Sequence, residues 1–324
     1  QCSITCPWWS RAPIWEMSDN GNRSGGLTFA LTKLNGQPLT QEYAQTRGIW
    51  EPLIEATQIK GDGEAYPLLS PDDEFADYET WHSWGGSRTE GIVFDDAWLE
   101  RKRGNYARSA LKRGLGQHAK LGANPFKFGM IGSSDTHTSL AAVDEESFAG
   151  KMTFYEPNKF RSLFQNDHAA SGYAAVWAHE NTRESLFNAM RRKETYATTG
   201  PRMTVRFFGG WDYAKGDAFS SNFTDIGYAQ GVPMGGDLTQ APDGKAPAFL
   251  VRAVKDPDGA NLDRVQVIKG WRSADGELHE QVYDAAVSDG RRIPKGRGKV
   301  KPVGSTVDVE NLTYANTIGD PELA

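Results

Sequence analysis

Cysteine is nearly missing from this chain: Cys2 and Cys6 are the only two in 324 residues. Their C-x₃-C spacing, with no second ligand pair nearby, excludes a disulfide framework and argues against a zinc site at that end. An excess of positive charge is also lacking. The 36 Lys and Arg against 42 Asp and Glu leave a formal net charge of −6, which argues against a general nucleic-acid surface. No apolar run reaches the length of a membrane span, and no signal peptide is visible. There is no internal repeat and no long low-complexity tract. Ser133 and Ser134 lack the G-x-S-x-G setting of a nucleophile elbow, so they are expected to shape a turn or to hydrogen-bond a neighbouring ligand. The chain opens on Gln1 and stops shortly after TVDVENLTYANTI, an extended segment in need of a pairing partner. It is therefore expected to be an internal piece of a longer protein.

Hydrophobic residues make up 38% of the chain and aromatics 11%, enough for a substantial core. The length exceeds one ordinary domain, so two are expected. EYAQTRGIWEPLIEATQ reads as a helix running into a strand, with IEATQIKG alternating as strands do. DGEAYPLLSPDDEFADYETWHSWGG is a long acidic, aromatic-rich loop, of the kind that covers a site or partner. FDDAWLERKRGNYARSALKRGLGQHAKLG is the clearest helix, with Asp95 or Asp96 as N-cap and a stop at Leu121-Gly122. It leads into the strand FKFGMIG. A second helix starts at Asn181 or Thr182, with Leu186, Phe187, Ala189 and Met190 as its apolar face, and ends at Thr198-Thr199-Gly200-Pro201. After Pro201 the pattern changes to period two, separated by turns such as DPDG and SADG. We read residues 1–201 as α/β and 202–324 as a β-rich, antiparallel, sandwich-like domain with a core on Val205, Phe207, Leu250, Val265, Val267 and Val309.

The most informative stretch is FKFGMIGSSDTHTSL, Phe126–Leu140. An apolar strand rises into Gly132-Ser133-Ser134 and delivers Asp135 and His137 where the strand opens into a loop. Helix, strand and site loop is the unit of an α/β barrel, whose catalytic groups gather at that end. A carboxylate oxygen and an imidazole nitrogen suit a divalent metal. A lone D-x-H is a weak motif, and the alternative stays open that Asp135 caps a turn and His137 merely hydrogen-bonds nearby.

Four long strings go beyond spacing: EATQIKGDGEAYPLLSPDDEFADYE, FKFGMIGSSDTHTSLAAVDEESFAGK, AAVWAHENTRESLFNAMRRKETYATTGPRMTVRFFGGW and VQVIKGWRSADGELHEQVYDAAVSDG. In this order they resemble the family known as domain of unknown function 3604, from about Asn20 to Ala324. Residues 1–18 are expected to fall outside that resemblance. The family's motifs are in turn similar to the polymerase-and-histidinol-phosphatase (PHP) superfamily of metal-dependent hydrolases, many of them phosphoesterases. The resemblance implies a partial, distorted PHP-like α/β barrel followed by the β-rich domain. It implies that Asp135 and His137 are ligands of a multinuclear centre of Zn, Mn or Fe, with Asp19 standing where the family carries a His. It also implies an exported or periplasmic protein. The family's H-x-H and D-H motifs are absent from this chain, so the centre is expected to be incomplete and the fragment inactive.

Glu55 and Lys60 are the candidate catalytic residues. Glu55, in an apolar-flanked strand, could face metal or substrate, or could be purely structural and paired with Lys60. Lys60 could bind a phosphate or carboxylate, or be solvated. His82 could contact substrate from the long loop or pack beside Trp81 and Trp84. The expected partner is a small anionic substrate, with no nucleic acid and no membrane span; the oligomeric state is left open. The functional expectation is a metal-dependent hydrolase acting on a phosphate ester through an activated water. The alternative is a non-catalytic binding or scaffold protein, with Trp211, Tyr213 and Trp271 stacking on carbohydrate or packing in a core.

Overall fold

The computed structural model describes residues 21–81, 94–137, 172–239, 241–294 and 299–324. Contacts divide the chain into two units, one of residues 1–171 with 270–279, the other of 172–269 with 280–324. Residues 172–201 thus fall in the second unit, whereas the sequence pattern changes at Pro201. The described residues are mixed α/β, with five α-helices and several small sheets. They form no closed barrel.

The first unit holds a three-stranded sheet of order β2-β1-β3: β1 is Leu53–Gln58, β2 is Gly61–Asp62 and β3 is Gly129–Gly132. β1 pairs antiparallel with β2 and parallel with β3, with an irregularity between Glu55 and Thr57. Every residue of β1 is buried. The expected alternation therefore gives way to burial on both faces, the usual condition of a strand with a parallel neighbour.

Helix α1, Gln41–Trp50, precedes β1, and the Thr40 side chain accepts from the Tyr43 N–H at its start. The long helix expected over 95–121 is two helices, α2 (Asp96–Arg103) and α3 (Ala107–Leu121). Asp95 caps α2 through the Trp98 N–H, and α3 ends at Gly122, whose φ of 73° is the left-handed conformation of a C-cap. The break at Gly104-Asn105-Tyr106 is a docking point for the chain at 22–29. The Asn105 amide accepts from Ser24 Oγ (2.8 Å) and Gly26 N (2.6 Å), and it donates to Asn22 O (3.1 Å). The Gly104 carbonyl receives the Phe29 N–H at 2.9 Å. Phe29, Ile54, Ala107, Ala110 and Phe126 form one buried cluster, and Tyr66, Trp98 and Tyr106 another. Residues 62–81 of the long loop contribute Tyr66, Ala76 and Trp81 to the interior.

In the second unit, β4 (Tyr173–Val176) pairs antiparallel with β5 (Thr195–Thr198), and helix α4 (Arg183–Arg191) connects them. Thr182 caps α4 by accepting from Ser185 N. The helix ends at Arg191, earlier than the expected Thr198, because Lys193 takes a left-handed φ of 62° and the chain turns into β5.

β6 (Thr204–Gly210), β7 (Gly231–Pro233), β8 (Ala248–Val254) and β11 (Glu322–Leu323) make an antiparallel sheet of order β11-β8-β6-β7. β9 (Arg264–Arg272) and β10 (Leu278–Val287) form a separate two-stranded ribbon. The antiparallel expectation for this region holds, and helix α5, Phe223–Gln230, packs on the four-stranded sheet through Phe223 and Ile226 against Phe208 and Leu250. The core expectation is corrected. Phe207 lies on the opposite face from Phe208 and stacks on Phe249, which is 49% exposed. Val309 is 77% exposed, in the turn closed by the Asp308–Thr313 bridge.

Candidate functional site

The parallel pairing of β1 with β3 puts Glu55 and Lys60 on one strand and its exit turn, and Ser133, Asp135 and His137 on the exit of its neighbour. Ser133 stays anchored to β1 after β3 ends, through its N–H to Thr57 O at 3.0 Å. Two serine hydroxyls then shape the loop. Asp135 N donates to Ser133 Oγ at 3.1 Å and Thr136 N to Ser134 Oγ at 3.3 Å, local bonds of the kind that stabilise turns. Asp135 has a φ of 48°, a left-handed conformation that Asp tolerates better than most side chains.

The Asp135 carboxylate is buried and engages two cations or donors. One oxygen pairs with Lys60 Nζ; the other lies 3.1 Å from His137 Nε2. Lys60 is itself buried, while the His137 side chain is half exposed. Glu55, 8% exposed, accepts from Gln58 Nε2 at 2.7 Å through one oxygen and from Ser133 Oγ through the other. The Lys60 carbonyl receives Asn22 Nδ2 at 3.2 Å, which ties the β1 exit to the segment that docks on Asn105. Four of the five residues selected from sequence are thus brought together. Asp19 lies outside the described residues, as do His82 and His168.

The donor set fits part of a metal site. Two donors each about 2.1 Å from one ion lie about 3.0 to 3.4 Å apart for octahedral to tetrahedral angles. Asp135 Oδ1 and His137 Nε2 meet that condition. Among the described residues no group of three His, Cys, Asp or Glu is arranged to hold an ion. Chemically, the arrangement offers a carboxylate and imidazole pair open on the His137 side, with a buried ammonium behind it.

Sequence reasoning missed three buried polar residues of this unit. Gln58 orients Glu55. Asp62, on β2, has its carboxyl raised to about 7 by burial and by the nearby Glu64, against lowering by the Glu64 and Ala65 N–H groups and Arg108. Lys102 lies over the rings of Tyr66 and Trp98, 5.2 Å from each centroid, and of Tyr106 at 5.8 Å. Burial lowers its ammonium to about 8. The one available signal for the first two was β1 and its exit turn, where polar residues sit in an otherwise apolar run.

Of the aromatics considered for sugar stacking, Tyr213 packs on the Phe208 cluster and donates to Gly227 O at 2.7 Å. Trp271 stacks on His279 with centroids 5.1 Å apart. No described helix is long and apolar enough to cross a membrane.

Comparison with known proteins gave one match. The family described as "Protein of unknown function (DUF3604)" matches residues 12–324. The match starts earlier than expected from the strings beginning near Asn20, so part of the first 18 residues belongs to the family pattern after all. No curated protein and no solved structure matched significantly. With nearly its whole length matched, the chain belongs to the DUF3604 family.

Proposed function

We propose that this chain is part of a PHP-like metal-dependent hydrolase acting on a phosphate ester. The observation that carries the reading is the convergence of Asp135 and His137, two residues apart on the exit of a parallel strand, at a spacing that one divalent ion can bridge. The sheet β2-β1-β3 is read as part of a distorted α/β barrel, and Asp135 and His137 would hold the ion from this part. Its remaining ligands are assigned to residues outside those described, Asp19 among them. Zn, Mn and Fe all suit a mixed carboxylate and imidazole set. When bound, such an ion supplies Lewis-acid polarisation of the ester and a more acidic water.

The chain's own residues do the rest. Asp135 aims one oxygen outward by giving the other to Lys60. Lys60, paired with Asp135, keeps the buried carboxylate neutralised. His137, the exposed member, stands at the side from which substrate and solvent arrive.

The test is metal analysis of the full-length protein together with a screen of phosphate, sulfate and carboxylic esters. A bound divalent metal and phosphatase activity are expected. Asp135→Ala and His137→Ala should each lose metal and at least about a hundredfold in rate. Full activity in His137→Ala would remove the assignment.

A further inference from the structure

We infer that Glu55 is the positioning residue of this site: through the Ser133 hydroxyl it fixes the backbone at Asp135, without itself being a ligand or a base. The inference rests on the reading above for its functional consequence, but its geometry stands independently.

A serine hydroxyl has one proton and two acceptor lone pairs. The Ser133 hydroxyl donates its proton to Glu55. That leaves the oxygen's lone pairs for the Asp135 N–H, which reaches it at 3.1 Å. The chain of bonds runs one way: Gln58 donates to Glu55, Ser133 donates to Glu55, and Asp135 donates to Ser133.

Both Glu55 oxygens are engaged by these donors, as a buried carboxylate requires. The bond to Ser133 spans 78 residues of sequence and ties the middle of β1 to the exit of its parallel neighbour β3. It acts where the backbone needs holding, since Asp135 sits in a sparsely populated left-handed conformation. Releasing Ser133 would free the turn that aims the Asp135 carboxylate at Lys60 and His137.

A ligand or general base must carry its own charge or proton. A positioning acceptor need only present an oxygen. Glu55→Gln therefore separates the roles: its amide oxygen can still accept from Ser133, and Gln58 can rotate its amide to accept from the new N–H₂. Glu55→Ala removes both bonds. Ser133→Ala removes only the linking oxygen and keeps the backbone shape, and Ser133→Thr restores a hydroxyl.

Two readouts suffice. The first is hydrogen exchange at the Asp135 amide in the 324-residue chain. Loss of one hydrogen bond is expected to accelerate it about tenfold in Glu55→Ala and Ser133→Ala. Glu55→Gln and Ser133→Thr should stay within about threefold of the parent. The second is Zn²⁺ affinity of the full-length protein by titration, where the same order of variants is expected. If Glu55→Gln loses as much zinc affinity as Glu55→Ala, Glu55 is a ligand and the inference is overturned. Unchanged exchange in Ser133→Ala overturns it as well, and that variant decides the matter if Glu55→Ala does not fold. A full-length protein with no metal and no hydrolase activity would remove the proposed function while leaving the exchange result to judge the positioning role.

Discussion

Burial of single ionisable groups sets how this chain responds to pH. Asp62 titrates near 7 in the folded chain and near 3.8 when unfolded. Between those values the folded state holds a proton that the unfolded state has released. Stability is therefore fully present below about 4 and falls as pH rises through about 7, by up to a few kcal/mol. Lys102 acts in the opposite direction at higher pH. Its ammonium is lowered to about 8, so the charged form burdens the folded state below that value and the burden is relieved as pH rises toward 10.5. Asp62→Asn keeps an acceptor for the Glu64 N–H and removes the charge. Denaturant melts from pH 4 to 8 should show a flatter profile in that variant, with a gain over the parent above pH 7. An unchanged slope would show that Asp62 is already ionised and compensated. Asp135 and His137 were legible in sequence because a strand exit followed by D-x-H is a recognisable pattern. Asp62 and Lys102 were not, because only the fold decides that an ordinary charged residue is buried.

At the level of elements, the break between α2 and α3 separates what local preference allows from what packing demands. Residues 96–121 carry a continuous helical pattern, and Ala has a better helix propensity than Gly by about 1 kcal/mol. Propensity alone predicts that Gly104→Ala is stabilising. The structure reverses the sign: a Cβ at residue 104 would stand 2.3 Å from the Gly26 carbonyl oxygen and 2.9 Å from its Cα. The atoms it meets are all Gly26 backbone, so relief requires moving the 22–29 segment off Asn105. Thermal melts of Gly104→Ala should show a loss of about 1 to 3 kcal/mol; a gain would show that the two helices prefer to merge. Helix α5 is the converse case. FTDIGYAQ has little intrinsic helical preference and was not foreseen. It forms where Phe223 and Ile226 find Phe208 and Leu250, and Gly227 lets it approach, since a Cβ there would meet the Phe208 ring at 2.6 Å. In β6 the period-two pattern was plain, but two adjacent phenylalanines left open which face was the core. Pairing with Leu250 and cover by α5 selected Phe208.

On the scale of the whole molecule, the proposed centre draws on more chain than the described residues supply. Asp135 and His137 alone leave most coordination positions to water, and affinity follows ligand number and geometry. The 324-residue chain should therefore bind Zn²⁺ weakly, with no stoichiometric metal after purification and little hydrolysis of ester substrates. Adding an upstream H-x-H segment should recover both. Tight stoichiometric metal in the 324-residue chain would mean that the site lies elsewhere.

The sequence by itself determined the family, the position of the D-x-H loop after an apolar strand, the helix starts to within one residue at Asp95 or Asp96 and at Asn181 or Thr182, the stop at Gly122, and the change to β patterning after Pro201. These are local: a cap, a turn or an alternating strand is written in residues a few positions apart. Only the tertiary structure decided that Ser133 joins Glu55 to Asp135, that Lys60 is the partner of Asp135, that Gly104 interrupts a helix, and that a helix covers the four-stranded sheet. Each of these depends on contacts between segments far apart in the chain, whose energies arise from burial and close approach, which residue identity alone does not encode.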